Sequence, residues 1–200
     1  QSSMEEWFEA LGDDDKIHGS IITVGAKTHR MAHRGPNTAN IASSKSKYGK
    51  ECRQLWTVED KDKYSLLGTD ASGIQLRILA HIINDEEYTQ GVLGDPHTMH
   101  QRILGLATRA EAKTWIYAWL FGAGNARLGG ILGGTARDGK ASSDLFEARV
   151  PGLIRLKKMM EEAGKKGYII SPNGGRIPAE SARCLPAFLQ GGEQVLMKTA

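Results

Sequence analysis

Ser65-Leu-Leu-Gly-Thr-Asp70-Ala-Ser72-Gly-Ile-Gln75-Leu-Arg-Ile-Leu-Ala-His81 is the stretch from which the fold is read. Leu66 and Leu67 close a short apolar run, which predicts a buried strand. Asp70 follows just past its end. Ser72-x-x-Gln75 has the form of a capping box, which satisfies unpaired backbone N–H groups and opens a helix. Ile74, Ile78 and Ile82 recur at helical spacing and give that helix a buried face. An acid at the end of a strand is placed to hold a hard cation, because fixed backbone fixes its oxygens. On this stretch alone, a simpler role as a cap for the turn is the better reading of Asp70.

The 200 residues suffice for one domain or two small ones, and 40% apolar with 24% charged residues describes a packed globular chain. Net charge is +3, from 26 basic and 23 acidic side chains. That is compatible with a polyanionic partner but does not argue for one. Cys52 and Cys184 lie far apart, which speaks against a disulfide framework or a zinc ribbon. The default setting is therefore reducing and cytoplasmic. No apolar run approaches the ~20 residues that span a bilayer, so no membrane partner is expected. The first residue is Gln rather than Met, which suggests a piece of a longer protein.

In chain order, Met4, Trp7, Phe8 and Leu11 have helical spacing, and Asp13-Asp14-Asp15 reads as a solvated turn. Ile17–Val24 is strand-like. Lys27–Lys50 is a basic loop region without acids, either solvated or a contact surface for a phosphate backbone. Asp85-Glu86-Glu87 reads as an acidic helix end. His97 and His100 lack a third ligand at a zinc spacing, so one His meeting an anion fits better than a metal site. Gly122–Gly134 reads as a flexible tract of tight turns; it is neither a dinucleotide fingerprint nor a P-loop. Ser142–Val150 is a short helix, Pro151 opens another that Gly164 ends, Asn173-Gly174 turns a hairpin, and Ala187–Ala200 is a last helix.

The second informative stretch runs from Thr108 to Gly124. Thr108-x-x-Glu111 is a capping box, and Arg109, Lys113, Tyr117 and Phe121 follow at i, i+4 steps as two cations and two aromatics on one face. Trp115 and Trp119 lie on another face and read as core. Two cations with no acid between them repel each other unless an anion sits there, and the helix N-terminus adds positive potential. Phosphates against Arg109 and Lys113, with a base or sugar against Tyr117 and Phe121, would use the whole stripe. An ordinary amphipathic surface helix is the simpler alternative.

Together these pieces resemble family A (polymerase-I-like) DNA polymerases, most closely the replicative enzymes of bacteriophages. The resemblance rests on Ile17-His-Gly-Ser, Arg30…Pro36-Asn37-x-x-Asn40-Ile41, Tyr48-Gly…Cys52-Arg53, Asp70-Ala-Ser-Gly-Ile-Gln-Leu-Arg, Gly94-Asp-x-His97-Thr, the Arg109-to-Gly122 helix, and Leu189-Gln190. It implies an α+β fold, a fragment of the polymerase right hand with part of the palm sheet and mainly helical fingers. Residues 1–17 would end the thumb, 18–85 would belong to the palm, 86–189 would be fingers, and 190–200 would start a helix returning to the palm. It implies template-directed DNA synthesis by a two-metal mechanism. Asp70 and the Ala71 carbonyl would be metal ligands, with two Mg²⁺ expected in the complete enzyme. Gln75 would exclude ribonucleotides; His97, Arg109 and Lys113 would hold the triphosphate, with Lys113 protonating the leaving pyrophosphate. Tyr117 would lie beside the sugar 3′ position and Phe121 at the templating-base pocket. Arg30, Asn40 and Gln190 would contact DNA, Arg30 and Gln190 in the minor groove at the primer terminus.

Four positions depart from the family pattern: Gln75 stands for Glu, Phe121 for Tyr, Ala118 for Gly, and His29 for the Gly that commonly precedes Arg30. The first two bear on sugar discrimination. The family's second catalytic Asp lies in a His-Asp-Glu turn beyond the helix at Gln190, outside these residues, so the isolated chain is expected not to polymerise. Implied partners are primer–template DNA, dNTP, a polymerase segment carrying the second Asp and a processivity factor; a viral enzyme would act in the infected host cell. A non-catalytic nucleic-acid and nucleotide-binding module is the alternative. Bulky Gln75 argues against a third reading, a single-subunit RNA polymerase.

Overall fold

The structure, a computed structural model, describes residues 3–180 and 183–199. The thumb expectation at residues 1 and 2, and the returning-helix expectation at Ala200, lie outside the described residues. Packing divides the chain into two units, Gln1–Ser72 and Gly73–Ala200. No helix among the described residues is long and apolar enough to cross a membrane.

The first unit holds α1 (Ser3–Glu9), β1 (Ser20–Ile22), β2 (Ala32–Arg34) and α2 (Gly49–Gln54). Trp7 of α1 is buried and meets Trp56 edge-on, with ring centroids 5.4 Å apart. The acidic run does turn the chain: Gly12 N–H donates to the Lys16 carbonyl at 2.8 Å, and Leu11 bridges to Ile17. β1 and β2 are antiparallel with Ser20 opposite Arg34, so the strand-like run Ile17–Val24 pairs over its middle residues only. His29 has φ 64°. That left-handed conformation costs a residue with a Cβ about 1–2 kcal/mol and glycine almost nothing, so glycine would fill this position at less cost than His29. A Cβ on Gly49 would stand 1.8 Å from the Ser43 carbonyl oxygen, so Tyr48-Gly marks a close backbone approach. Arg53 Nε donates to the Ala42 carbonyl at 2.9 Å and its Nη2 to the Ile41 carbonyl at 3.3 Å. These bonds tie α2 to the turn that carries Asn40.

The strand predicted at Leu66–Leu67 is not formed. Residues 64–71 are neither helix nor strand, and Leu66 and Leu67 are 70% and 91% exposed. A strand requires hydrogen-bonded neighbours, and no strand among the described residues pairs with this segment. Ser72 is not the N-cap of α3, as the capping-box reading required. Gly73, at φ 62°, is the N-cap of α3 (Ile74–Ile83) and no side chain caps it, while Gln75 reaches away to α10.

The second unit continues with α4 (Glu86–Leu93), α5 (Pro96–Leu104), α6 (Arg109–Leu120), α7 (Asn125–Ile131), α8 (Ala136–Arg149), α9 (Gly152–Lys165), β3 (Tyr168–Ile170), β4 (Arg176–Pro178) and α10 (Cys184–Thr199). Together with the two-stranded antiparallel sheets β1–β2 and β3–β4, this is an α+β chain dominated by helix. Packing groups α3 with the helices after it. Asp85-Glu86-Glu87 opens α4 rather than closing α3: Asp85 accepts the Tyr88 N–H at 2.8 Å, and acids suit a helix N-terminus. Pro151 stands at the N-cap of α9 rather than inside it, and α9 runs past Gly164 to Lys165. The hairpin forms as read, with Gly174 at φ 81°.

The glycine tract is not a series of flexible turns. Its residues 125–131 form α7, and a Cβ on Gly129 would lie 1.7 Å from the Thr135 carbonyl oxygen, one on Gly139 2.0 Å from that of Asn125. Glycine here lets α7 and α8 touch backbone to backbone. Phe146 of α8 is fully buried at the centre of an aromatic cluster, with ring centroids 5.0 Å from Trp119, 5.5 Å from His100 and 5.6 Å from Trp115. Trp115 and Trp119 are core, as their spacing predicts, and donate their indole N–H groups to Ser142 Oγ (3.1 Å) and Ser143 Oγ (2.9 Å). His100 Nδ1 donates to the Pro96 carbonyl, and its Nε2 accepts the Tyr88 hydroxyl at 3.0 Å, so this histidine is a neutral core residue.

Gly129→Ala should destabilise the second unit by about 2 kcal/mol or more, because backbone must separate. Gly130→Ala, where a Cβ meets nothing within 4 Å, should be neutral or stabilise by about 0.5–1 kcal/mol. Urea unfolding of both variants checks the pair. Burial holds the His100 pKa down at about 4. Because the unfolded chain binds this proton more readily, near pH 6.5, stability is full above that pH and declines toward pH 4. A urea midpoint that stays flat across this window would contradict it.

Candidate nucleotide and nucleic-acid site

Two successive helix N-termini build the centre of the site. Asp95 is the N-cap of α5, with Pro96 at the first helical position, where a missing N–H costs nothing. Its Oδ1 accepts the N–H groups of His97 (3.1 Å) and Thr98 (3.3 Å), and its Oδ2 accepts the Thr98 hydroxyl at 2.8 Å. Gly105, at φ 63°, ends α5, and Gln101 Nε2 donates to the carbonyls of Leu106 and Ala107, which turns the chain back. Thr108 then caps α6 with both halves of the expected capping box, to and from Glu111.

The stripe on α6 is present, with one correction. Arg109 already meets an anion of the chain itself: its Nε donates to Asp95 Oδ2 at 2.8 Å and its Nη2 to Asp95 Oδ1 at 3.1 Å. The guanidinium, followed by Thr98, holds the Asp95 carboxyl well below the usual carboxylate range. Both partners are largely exposed, so solvent screens the pair and it adds little to stability. Lys113, one turn on, is exposed and makes no ion pair among the described residues. Tyr117 is half-buried, with its ring centroid 5.9 Å from that of His97. His97 is buried and its Nδ1 has no hydrogen-bond partner in the structure. Burial, then Arg109, then Lys113 push its pKa down, so His97 is kept neutral beside two cations. Phe121 is the C-cap of α6 and 47% exposed.

The second unit thus gathers His97, Arg109, Lys113 and Tyr117 on α5 and α6. Gln75 and Gln190 lie on a second pair of helices, α3 and α10. Gln75 Nε2 donates to Glu193 Oε2 at 2.9 Å, and Gln190 sits half-buried one turn before Glu193. A Cβ on Gly192 would meet Ile78 at 3.3 Å, which shows how closely α10 lies on α3. Asp70, Ala71, Arg30 and Asn40 belong to the first unit and are exposed. Asp70 and Ala71 sit in irregular backbone, and the Arg30 carbonyl closes a turn by accepting the N–H groups of Gly25 and Ala26. The carboxylate of Asp70 and the carbonyl of Ala71 are hard oxygen donors suited to Mg²⁺. They do not complete a site, since no group of three or more His, Cys, Asp or Glu among the described residues could hold a metal ion.

Sequence reading missed Asp95 and Glu193. Asp95-Pro96 carries a local signal, an acid at the N-cap followed by Pro at the first helical position. Glu193 carries one as well, since it shares a helix face with Gln190. Their partners are distant in sequence, and no local pattern announces them.

The pattern for DNA polymerase family A matches residues 2–183. The chain is 36% identical over 166 residues to the DNA-directed DNA polymerases of Enterobacteria phage T3 and Escherichia phage T7, covering 78% of this chain and 24% of each relative. It spans about a quarter of the length of these relatives. In fold it is similar to the POL domain of Pol1 from M. smegmatis, solved with DNA primer-template and dNTP, at a TM-score of 0.82 and 21% identity over 98% of this chain and 38% of that one. Motifs, fold and matched span agree: the chain belongs to DNA polymerase family A.

Proposed function

We propose that this chain supplies the nucleotide-binding fingers and the first metal-binding carboxylate of a template-directed DNA polymerase acting in the cytoplasm of a phage-infected cell. The observation that carries this reading is the cluster on α5 and α6. Two cations lie near a helix N-terminus, beside a neutral buried histidine and an aromatic ring. A triphosphate meets charge and N–H donors there, and a sugar meets Tyr117. Residues 18–85 are the palm portion, 86–189 the fingers and 1–17 the end of the thumb, and from residue 190 on, α10, which already begins at Cys184, leads back to the palm.

In this reading Arg109 and His97 hold the outer phosphates and orient them. Lys113 Nζ neutralises charge on the leaving pyrophosphate and hands it a proton, leaving a neutral amine. Gln75 crowds the 2′ carbon, and its bond to Glu193 fixes the amide where Phe121 has no hydroxyl to do so. Phe121 stacks at the templating-base pocket; Arg30, Asn40 and Gln190 contact the primer–template, Arg30 and Gln190 in the minor groove. Asp70 and the Ala71 carbonyl would be ligands for Mg²⁺ once a second carboxylate completes the donor set, and the metal would supply activation of the primer 3′-OH and charge stabilisation of the leaving group. A second polymerase segment supplies the other carboxylate, and a processivity factor is a further partner of the assembled enzyme. The incomplete donor set favours one alternative, a nucleic-acid and nucleotide-binding module without catalysis.

Lys113→Ala should weaken binding of Mg-dATP to the chain by about tenfold or more, the worth of one charge-assisted contact, as read by titration calorimetry. The 200 residues alone should not extend a primer. A complementing chain with the second Asp should restore synthesis, and Asp70→Ala should abolish it; restored synthesis that survives Asp70→Ala would refute the role of Asp70. Salt-sensitive DNA binding with no restored synthesis would favour the module. The assembled enzyme should accept dideoxynucleotides readily, since Tyr117 stands beside the 3′ position; strong rejection would remove that role.

A further inference from the structure

Arginine offers a carboxylate or phosphate two bidentate edges: a side edge of Nε and one terminal nitrogen, and an end edge of the two terminal nitrogens. In this chain the side edge of Arg109 is taken, with Nε on Asp95 Oδ2 and Nη2 on Asp95 Oδ1. The Nη1–Nη2 edge is left for a ligand. The carboxylate is itself immobilised, because the same two oxygens accept the His97 and Thr98 N–H groups and the Thr98 hydroxyl. The chain N–H…Asp95…Arg109 therefore fixes a long, rotamer-rich side chain to the backbone of α5. Without it, Arg109 at the first turn of α6 would be an exposed cation that loses its freedom only when ligand binds.

We propose that Asp95 is a positioning residue for nucleotide binding: it presents the end edge of Arg109 to the triphosphate in advance of its arrival. This rests on the functional reading above, in which Arg109 meets phosphate. Two effects oppose each other. The carboxylate repels a triphosphate, and it also removes the ordering cost of the guanidinium. The anion occupies a neighbouring edge of Arg109 rather than the edge that phosphate would take, and in exposed surroundings its charge is screened, so positioning outweighs repulsion.

Asp95→Asn separates this role from helix capping, since Asn caps an N-terminus as well as Asp does but offers one acceptor oxygen and no charge to the fork. Calorimetric titration of the full chain with Mg-dATP should show about three- to tenfold weaker binding in Asp95→Asn with the thermal midpoint little changed. The Arg109 Nε–H resonance should lose its protection from solvent exchange. In an Arg109→Ala background the Asp95→Asn change should add nothing, because its effect passes through Arg109. Equal or tighter binding by Asp95→Asn, or an equal loss in the Arg109→Ala background, overturns the proposal. Lys113→Ala distinguishes the two failures. If it weakens binding while Asp95→Asn does not, only the positioning role falls. If neither change matters, or the unaltered chain binds no Mg-dATP, the nucleotide-site reading falls with it.

Discussion

A helix has one rotation about its axis, and in α6 Trp115 and Trp119 set it. Both indoles are buried against Phe146, and each is latched to α8 through a serine hydroxyl. Truncating a buried Trp costs about 3–5 kcal/mol, several times the worth of any exposed ion pair in this unit. Aromatic packing therefore decides which way α6 faces, and the cations take what is left. At 100° per residue, Lys113 lies about 200° from Trp115, so burying the tryptophans turns Arg109, Lys113 and Tyr117 toward the outside. The site is the reverse side of a core.

Energy and chemistry are thus assigned to different residues. Phe146, Trp115, Trp119 and the Tyr88–His100 pair hold the helices together, whereas the exposed cations Arg109 and Lys113 contribute little to stability. The glycines of α7 and α8 belong to the first group despite their composition. Helix contact at backbone distance brings Ser142 and Ser143 under the two indoles, so the glycine approach indirectly supports the orientation of α6. His97 stands between the groups: its ring is buried against Tyr117, while its Nδ1 lacks a hydrogen-bond partner. A buried, unpartnered polar atom costs about 1–3 kcal/mol, a cost that a core residue would not normally carry.

What could be read from the sequence was whatever is local. The Thr108–Glu111 capping box, the tryptophan face and the Asn173-Gly174 hairpin each lie within a few residues and form as read. Ser72-x-x-Gln75 is equally local, yet the helix starts one residue later than read: Gly73 takes the N-cap in a left-handed conformation while Gln75 finds Glu193, 118 positions away. The Asp95–Arg109 fork spans 14 positions and was hidden by reading each helix alone. In α7, glycine erased the apolar periodicity that marks a helix, since its packing uses backbone rather than side chains. The strand at Leu66–Leu67 was misread for another reason. A β-run is only a preference until a neighbour supplies hydrogen bonds.

That last case bears on how the proposed polymerase divides its labour. Metal-assisted phosphoryl transfer needs carboxylates held in place before substrate arrives, since reorganisation during reaction raises the barrier. Asp70 stands in irregular backbone beside two leucines that face solvent. The α5–α6 cluster is the opposite: capped twice, forked to Asp95 and backed by buried aromatics. The arrangement of His97, Arg109 and Lys113 is therefore set by the packing of the second unit itself. If Asp70 is the metal ligand proposed above, its carboxylate needs a support that residues 64–71 do not supply by themselves, since Leu66 and Leu67 are exposed and pair with no strand among the described residues.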